Sequence, residues 1–143
     1  MPRVDVPGGE VTVIAGTLRA AGFAPVTGPI DGGATAPLYF DVALGAGAVL
    51  ELATPVGHAI LAYVFEGAAD IGERRLAKGT MAVLGDGTAF VLAAAGEGAR
   101  VLVLGGRPLG EPVVHYGPFV MNTVAEIQQA IRDFQGGRLT APA

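Results

Sequence analysis

Short apolar runs, most of them closed by glycine, fill the chain up to residue 106. The clearest is LYFDVAL, Leu38 to Leu44, in which alternate residues are apolar, as in a strand with one buried face. Between the runs, residues 20–36 contain four glycines and two prolines and predict a long loop. The other strand candidates are VTVIAG (11–16), AVLEL (48–52), AILAYVFEG (59–67), TMAVLGDG (80–87), TAFVLAAAG (88–96) and ARVLVLGG (99–106). Many short strands without intervening helices predict an all-β sandwich or barrel.

One amphipathic segment near the end of the chain differs from these strands. Thr123 and Glu126 have the spacing of a capping box, and the pair Gly136–Gly137 can supply a left-handed C-cap. These signals predict a helix at about residues 124–135. Because a lone helix of about three turns is marginal in water, we expect its apolar face to seal the outside of the barrel. That face comprises Ile127, Ala130, Ile131 and Phe134.

Composition limits the classes of function. The chain has 143 residues, of which 51% are hydrophobic and 15% charged, with a net charge of −4. Basic residues cluster only at Arg74, Arg75 and Lys78, so no basic stripe supports nucleic-acid binding. Cysteine and serine are absent, which excludes disulfides, thiolate ligands and serine nucleophiles. No apolar run approaches the roughly 18 residues of a membrane span, and the first residues lack a signal peptide's apolar segment, so we expect a cytoplasmic protein.

Few polar side chains are candidates for chemistry. His58 and His115 are the two histidines. A metal site normally needs three or four converging donors, so each histidine is expected to be a surface or turn residue. A metal-free pocket in the mouth of the barrel is the alternative, with Glu51, His58 and Tyr63 as its candidate residues. No residue is assigned a catalytic role.

The glycine spacing is similar to that of the two cupin motifs, G-x5-H-x-H-x4-E-x6-G and G-x5-P-x-G-x2-H-x3-N. The framework glycines match at Gly47, Gly67, Gly79 and Gly87. The positions of the four metal ligands are occupied instead by Ala53, Pro55, Ile60 and Phe90. None of these side chains can coordinate a metal, so we expect no metal in this chain and a barrel interior plugged by apolar groups.

The segment GGRPLGEPVVHYGPFVMNTVAEIQQAIRDFQGGRL, residues 105–139, closely resembles the end of the pirin family. VTVIAG, LYFDVAL and AYVFEG fit the earlier part of the same domain. Pirins are bicupins, so the resemblance implies that this chain corresponds to the second cupin domain. It further implies that iron belongs to the absent N-terminal cupin domain. Pirins are linked to quercetin 2,3-dioxygenase activity and to acting as cofactors of transcription regulators.

These observations predict one cupin-like domain over residues 1–143: an all-β, cupin-type β-barrel (a jelly-roll-like double-stranded β-helix) with one C-terminal α-helix. The expected function is a non-catalytic structural or partner-binding module. Two alternatives stay open: part of a quercetin 2,3-dioxygenase whose metal site lies in another domain, and a metal-free ligand-binding barrel. One expected partner is a second copy of the chain, which would bind through strands near the N-terminus. The other candidates are an N-terminal-type cupin domain and a protein such as a transcription regulator. Neither nucleic acid nor membrane is expected.

Overall fold

The computed structural model describes residues 1–140 and contains two compact units, Met1–Pro108 and the segment that begins at Leu109. The first unit holds a short 3-10 helix, Gly33–Thr35, and ten strands. The strands are β1 Arg3–Val6, β2 Gly9–Ala15, β3 Thr17–Leu18, β4 Val26–Thr27, β5 Leu38–Leu44, β6 Val49–Ala53, β7 Ala59–Ile71, β8 Arg74–Ala77, β9 Met81–Leu84 and β10 Ala89–Gly106. The second unit holds β11 Val114–Tyr116, β12 Phe119–Met121 and α1 Val124–Gln135.

Eight strands of the first unit form one curled antiparallel sheet. Its order is β1-β2-β5-β10-β7-β8, with β6 also paired to β10 and β9 also paired to β7. The two long strands β7 and β10 run through both halves of the sheet, so each has different neighbours along its length. This arrangement confirms the predicted all-β cupin fold. The strand order leaves β1 and β8 as open ends, so it is side-chain packing, and not a continuous ring of hydrogen bonds, that encloses the core.

The long strands bend at glycine residues. Gly67 on β7 has φ +66° and Gly98 on β10 has φ +110°. A Cβ atom on Gly67 would lie 2.0 Å from the carbonyl oxygen of Gly98, so the two backbones can approach only because Gly67 has no side chain. The sequence predicted two separate strands, residues 88–96 and 99–106, whereas the structure has a bend inside one strand of 18 residues.

A bulge at the same bend keeps the apolar side chains on the core. The register passes from Val64↔Val101 to Glu66↔Arg100, so Phe65 is left without a partner on β10. One extra residue switches which side chains face inward. Accordingly Ile60, Ala62 and Val64 are buried before the bulge and Ala69 after it.

The core lies between the inward faces of the curled sheet. Phe40 on β5 is 2% exposed, and Leu52 on β6 and Leu92 on β10 are fully buried beside it. Ile60 is also buried, whereas Phe90 is only half-buried and packs against the edge of this cluster. The expected apolar plug therefore involves Ile60 more fully than Phe90, because Phe90 lies at the start of β10, where the sheet begins.

Several short elements were not predicted. β1, β8 and the β11–β12 hairpin have three or four residues per strand, too few for a clear alternation. β8 is held to β7 by Arg75, whose guanidinium donates to both oxygens of Asp70 at 2.9 and 2.8 Å. The hydrogen bond from Arg75 lowers the pKa of Asp70 below its usual value. The predicted loop at 20–36 contains β4 and the 3-10 helix.

The second unit confirms the helix and its caps. The Thr123 hydroxyl accepts from the Glu126 amide at 3.2 Å, and the Glu126 carboxylate accepts from the Thr123 amide at 2.8 Å. Gly137 adopts the left-handed conformation, with φ +66°. Of the predicted apolar face, Ile127 and Ala130 are buried, while Phe134 is exposed and meets Phe119 edge to face at 6.3 Å between ring centres. Contacts of α1 run to β11 and β12, and its packing on the barrel stays a prediction.

Because Phe40 is buried in the core, its ring should contribute strongly to the free energy of unfolding. Phe40→Ala should lower the free energy of unfolding by about 3–5 kcal/mol, since it removes a fully enclosed ring. Phe90→Ala should cost clearly less, because part of that ring already faces solvent. Urea denaturation of both variants measures the difference, and an equal loss at Phe90 would show that its ring fills the interior.

Candidate functional site

The main candidate site is a cleft of about 690 Å³ at one end of the curled sheet. It lies between the β3–β4 hairpin, the chain leading into β5, the β6–β7 turn and the end of β10. Its charged or titratable side chains are Arg19, Asp31, His58 and Arg107. We call it the Arg19–Arg107 cleft.

Backbone hydrogen bonds fix the walls of this cleft. The Ala53 amide donates to the carbonyl of Arg19 at 2.9 Å, which ties the end of β6 to the hairpin. The Arg107 amide donates to the carbonyl of Thr35 at 2.7 Å, which ties the end of β10 to the 3-10 helix. Across the hairpin, the hydroxyls of Thr17 and Thr27 lie 3.0 Å apart and share a hydrogen bond. Both arginines therefore project from anchored backbone.

His58 holds the β6–β7 turn against the segment before β5. Its Nε2 lies 3.1 Å from the carbonyl oxygen of Ala36, and because a carbonyl only accepts, Nε2 must carry the proton. Ala36 is the one non-glycine residue within 1–140 with a positive φ, +43°. This left-handed conformation is strained for alanine. The Nδ1 atom of His58 is buried without a hydrogen-bond partner among the described protein atoms.

The cleft has a positive character on an acidic chain. Arg19 and Arg107 are exposed, and neither guanidinium forms an ion pair or side-chain hydrogen bond within the described part of the chain. Asp31 is the one carboxylate in the lining, and its Oδ1 accepts from the Gly33 amide at 3.1 Å. Two arginines against one aspartate give a formal charge of +1 with His58 neutral, whereas the whole chain carries −4.

Of the three pocket residues expected from the sequence, the structure places only His58 in this cleft. Glu51 is exposed on β6, and Tyr63 is half-buried on β7, on the face opposite the buried Ala62 and Val64. The three side chains do not line a common cavity. Sequence reasoning missed Arg19 and Arg107, which are 88 positions apart in number and carry no motif; only the strand pairing brings them to one cleft.

The four positions that correspond to cupin metal ligands do not form a metal centre. Ala53 and Pro55 are exposed on the wall of the cleft, Ile60 is buried in the core and Phe90 is half-buried. Within residues 1–140 no three His, Asp or Glu side chains are grouped so that they could hold a metal ion. The side chains present therefore do not fit the iron that the fold family implies.

A second hollow of about 520 Å³ opens beside the bend of the long strands. Arg100 dominates it: its guanidinium donates to Asp41 at 2.7 Å, lies 3.8 Å from Glu66 and covers the ring of Phe65 at 4.9 Å. These contacts bridge β5, β7 and β10 across the bulge. Arg100 is thus engaged with Asp41, Glu66 and Phe65, and these contacts connect three strands at the bulge.

Comparison with known proteins gives a consistent result. The profile of the pirin C-terminal cupin domain matches residues 39–140. A candidate quercetin 2,3-dioxygenase of Pseudomonas aeruginosa is 44% identical over 97% of this chain and 50% of its own length. A pirin-like protein of Caulobacter vibrioides is 45% identical over 92% of this chain and 46% of its own length. The chain spans about half the length of the curated relatives it matches.

A solved structure supports the same family. A crystal structure of quercetin 2,3-dioxygenase from Acinetobacter baumannii superposes with a TM-score of 0.81 at 38% identity, covering 97% of this chain and 47% of that one.

No helix in residues 1–140 has the length and apolar character needed to cross a membrane.

Proposed function

The chain belongs to the pirin family, and we propose that it acts there as a metal-free cupin module that binds a protein partner. The observation that carries this proposal is the replacement of all four ligand positions by Ala53, Pro55, Ile60 and Phe90. Iron chemistry needs oxygen, nitrogen or sulfur donors, and these side chains offer none. A cupin without metal-ligand donors still has its sheet, and the outer surface of that sheet can bind a protein partner.

The strand β9 is the surface best suited to a partner. Within the described residues it pairs only with β7, so its other edge presents unpaired backbone groups. It carries no charge, and Met81 and Val83 are 55% and 73% exposed. Natural edge strands are usually protected by charges, and β1 is an example, with Arg3 and Asp5 facing outward. An unprotected edge favours pairing with another strand.

A second copy of the chain is the partner we propose for this edge. Two β9 strands related by a two-fold axis can pair antiparallel, and such a symmetric contact is the commonest closed arrangement. The proposal moves the contact from the N-terminal strands, which the sequence favoured, to β9, because the exposed side chains of β1 are charged. A stable interface should bury roughly 1,000 Å² or more in total.

A role as one half of a quercetin 2,3-dioxygenase is the second candidate. It is supported by the description of the Pseudomonas and Acinetobacter relatives as quercetin 2,3-dioxygenases and by the fact that this chain covers about half of each. On this proposal another cupin domain holds the iron, and the present chain contributes a covering surface. No step of the reaction is assigned to a residue of this chain.

Metal content tests the first proposal. Elemental analysis of the purified chain should find iron, zinc and nickel far below one ion per chain. The double variant Ala53→His/Pro55→His adds two imidazoles to the cleft that already contains His58, and these three donors should give measurable Zn²⁺ affinity if the motif register is right. One metal ion per wild-type chain, lost on His58→Ala or His115→Ala, would contradict the proposal.

Oligomeric state tests the proposed partner edge. Sedimentation equilibrium at micromolar concentration should give twice the chain mass of 14.3 kDa. Val83→Asp places a charge on the edge and should give the monomer mass with unchanged circular dichroism. Val49→Asp, a matched change on the exposed face of β6, should leave the dimer intact. A monomeric wild type, or equal disruption by both variants, would argue against the β9 contact.

Reconstitution separates the two candidates. An iron-loaded N-terminal pirin domain should cleave quercetin no faster after addition of this chain if the chain is only a recognition module. A large, saturable gain in turnover on mixing would instead favour the split dioxygenase, and co-sedimentation of the two domains would confirm that they associate.

A further inference from the structure

We propose that the Arg19–Arg107 cleft binds a small organic carboxylate with an apolar body. The site differs from the partner edge on β9 and uses no metal. The proposal rests on three features of the cleft: two arginines whose guanidinium groups have no partner within residues 1–140, apolar walls, and a backbone held by hydrogen bonds.

The two arginines supply the charge that selects an anion. Each guanidinium offers planar paired donors that match the two oxygens of a carboxylate. Three other arginines of the first unit already form ion pairs: Arg3 with Glu10, Arg75 with Asp70 and Arg100 with Asp41. Arg19 and Arg107 thus keep their donors available in a lining whose formal charge is +1.

The walls select an apolar body. Ile30, Pro37, Leu38 and Pro55 line the cleft beside the arginines, and Ile30 is 47% exposed. Covering this surface would remove it from water, which favours a ligand larger than an inorganic anion. The volume of about 690 Å³ lies within the range of sites for small organic molecules.

Hydrogen bonds already hold the backbone of the lining, so the freedom lost on binding is mainly that of the two arginine side chains. The carbonyl of Arg19 and the amide of Arg107 are both engaged, and His58 ties its turn to Ala36. A preorganised backbone reduces the conformational entropy that is lost when the ligand binds. The one opposing charge is Asp31, whose position is set by its hydrogen bond to the Gly33 amide.

The probe is 2-naphthoate, followed by chemical shift changes in the amide spectrum of the full chain. We expect saturable shifts at residues of the cleft, weakened by added salt. Arg19→Gln and Arg107→Gln should each weaken binding about tenfold, the loss of one charge-assisted hydrogen bond. Asp31→Asn keeps the acceptor for Gly33 but removes the negative charge, so it should tighten binding. Arg74→Gln, an exposed arginine on β8 outside the cleft, is the matched control and should change nothing.

Two other probes decide what is recognised. 2-Naphthamide has the same apolar body without charge and should bind at least about tenfold more weakly than the carboxylate. Inorganic phosphate should also bind more weakly than 2-naphthoate, since it cannot contact the apolar walls. Equal binding of the amide, tighter binding of phosphate, unchanged affinity in both arginine variants, or no saturable shift with 2-naphthoate would each overturn the proposal.

Discussion

The close approach of β7 and β10 at Gly67 and Gly98 is the constraint on which the first unit depends. Only without a side chain on Gly67 can its backbone pass the Gly98 carbonyl, at a place where a Cβ would lie 2.0 Å from that oxygen. The bend lets each long strand belong to both halves of the sheet. The bulge at Phe65 then restores the inward direction of the apolar residues, so one continuous core forms.

The same two strands create the cleft. β7 begins at Ala59, directly after His58, and β10 ends at Gly106, directly before Arg107. Because Gly106 pairs with Ala59, the antiparallel register places these two flanking residues at the same end of the sheet. The β6–β7 turn and the hairpin that carries Arg19 close the other sides. The positions that hold metal in related cupins contribute only Ala53 and Pro55 to this wall, which leaves its chemistry to the arginines.

The sequence predicted those elements whose local signals agree with their tertiary role. β5 alternates strictly, and its buried residues are the predicted ones; α1 has both caps. The pair Gly96 and Gly98 was ambiguous, since glycine occurs equally well in a turn between two strands and in a bend within one strand. Strands of two residues, such as β3 and β4, have no periodicity to detect. Of the cleft, only His58 was predicted, because Arg19 and Arg107 come to line the same cleft through strand pairings that no local pattern encodes.

The central place of β10 also has a consequence for the order of synthesis. This strand pairs with β5, β6 and β7, all of which precede it in the chain. On the ribosome those earlier strands emerge with open edges and no common neighbour, and the sheet cannot be completed until residue 106 has left the tunnel. Folding must then join contacts that are distant in sequence, which is slow. A nascent chain of this design is exposed to aggregation for as long as β10 is missing, and chaperones that shield strand edges would act in that interval.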